Sequence, residues 1–140
     1  MKQIIIASAL MIVATLGTAL SQSKVSQSNY SVEIREAGAI KANAAAAVEV
    51  TLVPMGGYIV NGKYATKLTM TAPAGVTLPK STMTKTDATT FGDKKVVFKV
   101  PFTATAVGKK ELKAVLQFSM TLASTVVVQK EQLSLMVDVK

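Results

Sequence analysis

The feature that most limits what this chain can become is an alternation of period two. "KKVVFKVPFTATAVG" places Val96, Phe98, Val100 and Phe102 on one face, with Val97, Lys99, Pro101 and Thr103 on the other, and Gly108 ends the run. Successive side chains of a strand point to opposite faces, whereas a helix repeats every 3.6 residues, so this spacing gathers its apolar side chains only as a strand. "KKELKAVLQFSM" repeats the pattern, with Leu112, Ala114, Leu116, Phe118 and Met120 inward and Lys113, Val115, Gln117 and Ser119 outward. "YSVEIREAG" sets Val32 and Ile34 against Glu33 and Arg35; "AVEVTLVP" sets Val48, Val50 and Leu52 against Glu49 and Thr51. "YATKLTMTAP" puts Thr66, Leu68 and Met70 on one side and stops at Pro73, where a central strand does not readily continue. In "VVVQKEQLSLMVDV" the parity shifts: Val126 and Val128 lie opposite Leu133, Leu135, Val137 and Val139, and a bulge or change of sheet near Gln129 would reconcile the halves. No helical period persists for three or four turns. Six or seven strands spaced by Gly and Pro turns predict an all-β sandwich. With no Trp and no Cys, the buried Trp and cystine of antibody domains are excluded.

The N-terminus follows a different rule. "MKQIIIASALMIVATLGTALSQS" carries one cation, Lys2, then an apolar run from Ile4 to about Leu20, then small residues. That is the three-part pattern of a secretory signal peptide, with cleavage permitted after Ala19 or after Ser21. The same run, about 17 residues, stands at the short limit for spanning a bilayer, so membrane attachment is expected only if the segment stays uncleaved. The absence of cysteine excludes a lipid-anchored leader. The expected division is residues 1–21 as signal peptide, 22–29 as a polar Ser/Gln-rich linker and 30–140 as the sandwich, in a periplasmic or secreted protein. "GAIKANAAAA" is expected to be a small-residue connection too short for a stable helix.

Chemistry is constrained mainly by what is missing. With no histidine, a Ser-His-Asp triad, a His general base and a His metal site are impossible. With no cysteine, thiol catalysis and thiolate ligation go too. Most of the eight acids alternate with apolar residues, which marks them as solvent-facing rather than paired in a cleft. "PMGGYIVNGKY" has a Gly pair but no GKS/T, so a turn or bulge before Tyr58 explains it better than a phosphate loop. The expectation is a non-enzyme without cofactor or metal.

Beyond residue 21 the chain holds fifteen Lys and Arg against eight acids, a net of about +7. Only Arg35 is an arginine, and the lysines are scattered. Nucleic-acid binders gather charge on one face and add aromatics or Arg, so no nucleic-acid partner is expected. Lysines along strands blunt edges against aggregation, and a basic face also suits an anionic surface.

From "GAIKANAAAAVEVTLVPMGGYIVNGKYATKLTMTAPAGVTLPK" onward, about 100 residues resemble the periplasmic N-terminal domain of the DsbD thiol:disulfide interchange family and its small stand-alone exported relatives. The matching positions are Gly57, Tyr58, Asn61 and Tyr64, then Pro73, Gly75 and Val76, then "VVFKVPF", Gly108 and the final hairpin. The resemblance implies an immunoglobulin-like β-sandwich of about seven antiparallel strands in the periplasm. It also implies a redox cysteine pair on that hairpin, and the corresponding positions fall at or near Thr121 and Val126. A histidine of some relatives, near Ile59, is missing as well. The hairpin therefore keeps the frame without the thiols, and electron transfer by this chain is excluded.

A member that has lost its chemistry points, by analogy, to binding. The expected function is a non-catalytic exported interaction module that contacts another envelope or periplasmic protein, with β-strand addition as one mode. The expected contacts are Tyr58, Asn61 and Tyr64 in the loop, and Met120, Thr121 and Thr125 at the hairpin tip. The tyrosines equally fit amphipathic covers for the sandwich end, and Asn61 before Gly62 fits a turn. The alternative is a structural or surface-assembly subunit of the bacterial envelope with a Lys-rich face.

Overall fold

The computed structural model describes residues 22–140, and residues 1–21, the expected signal peptide, lie outside the described residues. The alternating segments form strands that pair into two antiparallel sheets, an immunoglobulin-like β-sandwich. One sheet holds β1 (Gln22–Ser26), β2 (Tyr30–Glu36), β3 (Ala45–Pro54) and β9 (Val96–Ala104) in that spatial order, with the short β6 (Val76–Thr77) and β8 (Thr90–Phe91) also paired to β9. The other runs β11 (Thr125–Val139), β10 (Gly108–Leu122), β5 (Lys67–Thr71), β7 (Thr82–Thr84), with β4 (Ile59–Val60) beside the far end of β10. Among the described residues seven strands have five residues or more, six of them foreseen from the alternation and β1 not, and four shorter ones complete the sheets.

The inward parity of each strand builds one core. Val48, Val50, Leu52, Phe98 and Phe102 from the first sheet meet Leu68, Leu112, Leu116, Phe118 and Leu135 from the second, all buried. Burying side chains of this size contributes about 1.5–3 kcal/mol each, which lets the sandwich stand without a cystine. The outer face of the first sheet is polar. Arg35 stands opposite Glu49 and bonds it at 3.1 Å, and Glu49 stands opposite Lys99, so unlike charges neighbour one another across three strands.

Tyr30 ties the two sheets together. Its ring meets Phe118 edge-on, with centroids 5.0 Å apart and planes at 78°, and its hydroxyl donates to the Glu131 carboxylate on β11. Burial first, then the bond to Glu131 and its negative charge, push the Tyr30 hydroxyl far above its ordinary value.

Three local expectations are corrected. Residues 22–26 of the expected polar linker form β1, paired residue for residue with β2. A margin strand needs few apolar side chains: Val25 packs on the core, and Lys24 faces Glu33 across the ladder. The connection "GAIKANAAAA" is shorter than expected, because Ala45–Ala47 already belong to β3. There is no bulge near Gln129. The β10–β11 register runs unbroken from Gly108 opposite Val139 to Leu122 opposite Thr125, so Val126 and Val128 lie on the outer face.

Two measurements check this core. The Thr66 hydroxyl is buried without a hydrogen-bond partner, so Thr66→Val, which removes an unsatisfied group, should raise unfolding free energy by about 1 kcal/mol in urea titrations. Because folding raises the Tyr30 pKa, its contribution is fully present below about pH 10 and lost as pH rises above it. Tyr30→Phe should cost about 1–2 kcal/mol at neutral pH and show a shallower alkaline loss of stability than the parent chain.

Candidate functional site

The final hairpin turns in two residues, Ala123 and Ser124, between the paired Leu122 and Thr125. Ala123 has φ 54°, the left-handed value that tight hairpin loops demand. One pair back from the turn, Thr121 stands directly opposite Val126. On its other side β10 pairs with β4, Thr121 opposite Ile59 and Met120 opposite Val60. Val126, Thr121 and Ile59 therefore form one row across three strands, all on the outer face, while Met120 and Val60 point into the core.

The segment after β4 is fixed to β10 by a polar lattice. The Asn61 amide N–H donates to the Ser119 carbonyl at 2.9 Å, and the Ser119 hydroxyl donates to the Asn61 carbonyl at 3.0 Å. The Asn61 side chain accepts from the Lys63 N–H at 2.9 Å, which assigns that atom as its oxygen, and its Nδ2 then donates to Thr121 Oγ1 at 2.7 Å. Val60 N–H donates to the Asp93 carbonyl at 2.9 Å, joining β4 to the turn between β8 and β9 of the opposite sheet. The Gly pair makes the expected turn: Gly56 and Gly57 have φ of 67° and 85°, and a Cβ on Gly57 would meet Leu122 of the hairpin at 3.2 Å.

A shallow, open depression of about 440 Å³ lies beside this lattice, lined by Ile59, Val60, Asn61, Gly62, Lys63, Lys85 and Thr121. Lys85 belongs to a single 3-10 turn, Lys85–Asp87. Its ammonium donates to the Gly62 carbonyl at 3.2 Å and lies 5.6 Å from the centre of the Phe91 ring, so it is held in place. Asp87 does not neutralise it: that carboxylate bonds Lys80 at 2.7 Å and the Thr84 N–H at 2.9 Å, and the Lys80 bond is the main cause of its lowered pKa.

The structure brings Asn61 and Thr121 into contact and leaves Tyr64 half exposed and Thr125 exposed at the turn. Tyr58 is half-buried against the core. Met120 is a correction: it is fully buried and offers nothing to a partner, because it sits on the inward parity of β10. Ser119 is another: expected to face solvent, it is fully buried through its bonds with Asn61. Sequence reasoning did not place Ile59, Lys63 and Lys85 together, nor Val126 and Val128 on a solvent face. One signal was present: no acid occurs between Glu111 and Glu131, so the hairpin end is free of negative charge by composition.

No family model matches the chain, and no curated protein matches it. Eight solved chains match. One is the GAE domain of GGA2p from Saccharomyces cerevisiae, with a TM-score of 0.49 and 13% identity over 81% of this chain and 96% of that one. The fold assignment rests on the strand pairing described above.

Directly opposed residues of an antiparallel pair have Cα atoms about 4.5–5.5 Å apart, inside the range a disulfide accepts. The double change Thr121→Cys with Val126→Cys should therefore give an intramolecular disulfide under oxidising conditions. Thiol titration before and after reduction measures it, and two free thiols in the folded, oxidised protein would contradict the register at the tip.

Proposed function

We propose that this protein is an exported, non-catalytic binding module, similar to a DsbD-type N-terminal domain whose redox cysteines are gone, and that it engages a periplasmic or envelope protein through its hairpin end. The observation that carries this reading is the Thr121–Val126 pair. These are the positions where the resemblance expects the two cysteines, and they face each other directly, one pair from a two-residue turn. That placement supports the reading of a frame kept without its thiols, since neither residue can form a thiolate. What remains at that end is a rigid polar lattice around Asn61 and Thr121 with Tyr64 and Thr125 exposed beside it in sequence, a surface suited to contact rather than reaction. With no histidine or cysteine anywhere in the chain, imidazole and thiol catalysis are closed to it, and a general base would have to be one of the scattered lysines or carboxylates.

Site-specific photo-crosslinking in the intact envelope tests this. A photoreactive residue at Tyr64 or Thr125 should give a discrete crosslinked species with an envelope protein, and the same residue at Lys99, on the outer face of the opposite sheet, should not. Equal crosslinking at all three positions, or none at the hairpin end, would refute a hairpin-end partner.

A further inference from the structure

The outer face at the hairpin end combines three properties. It is apolar: Val126 and Val128 are 41% and 56% exposed, and Val126 shares its row with Ile59 through Thr121. It spans three strands: Val126 and Ile59 lie on the same face on either side of Thr121, with Val128 next along that face of β11. And it ends in the depression beside Thr121, where the lining lysines Lys63 and Lys85 have no carboxylate within ion-pair reach among the described residues. Among the acids, Glu131 takes the Tyr30 hydroxyl on the inward parity and Asp87 is held by Lys80. On the outer face of the first sheet, by contrast, Arg35 and Lys99 already flank Glu49.

From this we infer that the outer face of the hairpin end is a docking platform for an acidic, apolar peptide segment of a partner protein, its aliphatic side chains on Val126, Val128 and Ile59 and a carboxylate between Lys63 and Lys85. The inference rests on the binding-module reading and adds the chemistry of the partner. Charge complementarity selects the occupant. A second copy of this chain would bring its own net charge of +8 against the same lysines. A segment carrying only charge would leave the exposed valines uncovered, and one carrying only apolar groups would leave the lysines unanswered. Lys85 is already positioned by the Gly62 carbonyl and the Phe91 ring, so less side-chain freedom is lost when it meets a carboxylate. Asn61 Nδ2 donates to Thr121 Oγ1, so these two side chains hold each other in place at the floor of the site.

The test is fluorescence anisotropy with the full mature chain and a labelled peptide of alternating valine and glutamate. Binding should be saturable and weaken as salt rises. Lys63→Glu with Lys85→Glu should weaken it at least tenfold, and Val126→Asp with Val128→Asp should do the same. Lys99→Glu, on the far sheet, should leave it within about twofold, and unchanged melting temperatures would show that each variant is folded. Equal loss in the Lys99→Glu protein would reduce the effect to overall charge and overturn the platform. So would indifference to the Lys63 and Lys85 changes. Sedimentation with vesicles of phosphatidylglycerol and phosphatidylcholine that depends on the same residues, without peptide binding, would replace the protein segment with a membrane surface. Concentration-dependent dimerisation lost in the valine variant, again without peptide binding, would replace it with a second copy. If the peptide fails while crosslinking at Tyr64 or Thr125 persists, this inference falls and the binding-module reading stands. If the peptide binds while hairpin-end crosslinking is absent, the partner claim of that reading falls instead.

Discussion

Every feature of the hairpin end depends on one constraint, the unbroken register between β10 and β11. Fifteen residues of each strand pair without a bulge, from Gly108 with Val139 to Leu122 with Thr125. A slip of one residue would turn the buried row Leu112, Leu116 and Phe118 toward solvent, so the core face locks the register as firmly as the hydrogen bonds do. With the register fixed, Thr121 must face Val126, and β10 can offer its other edge to β5 over residues 113–117 and to β4 at residues 120–121. The two-residue loop follows from the same requirement, and Ala123 takes a left-handed conformation at a cost of about 1–2 kcal/mol to complete it.

Two contacts then hold the sheets in place relative to that hairpin. Tyr30 reaches from β2 to Phe118 and Glu131, burying a ring while its hydroxyl keeps a partner. Val60 lies in the ladder with β10 and gives its N–H to the Asp93 carbonyl of the other sheet's turn. Because Asn61 and Gly62 follow directly, the depression lined by Lys63 and Lys85 is fixed by the backbone bonds of Val60 and Asn61 together with the Asn61–Thr121 and Lys85–Gly62 side-chain bonds. A binding surface built this way loses little freedom on association.

Much of the fold was legible in the sequence and rather little of the site. The faces of β2, β3, β5, β9 and β10 follow from alternation alone, and the buried residues of those strands fall on the expected parity, Ser119 excepted. β1 was not legible, because a margin strand of Gln, Ser, Lys and Val carries no apolar period and takes its shape from β2. The Asn61–Thr121 contact joins residues 60 apart, and composition gives no hint of it. Val126 and Val128 suggested a bulge on the assumption that valine belongs inside, whereas apolar atoms make up more than half of an ordinary protein surface.

The sequence by itself determined the class of structure and the chemistry that is closed to it. Period-two alternation is a local property, readable within a few residues, and the lack of histidine and cysteine removes imidazole and thiol chemistry whatever the fold. Tertiary structure alone decided which faces meet. Ser119 became interior because Asn61, 58 residues away, covers it, and Tyr30 gained Glu131 from 101 residues away. Pairings of that range are set by the packing of the whole sandwich, since each is worth little until both sheets are in place.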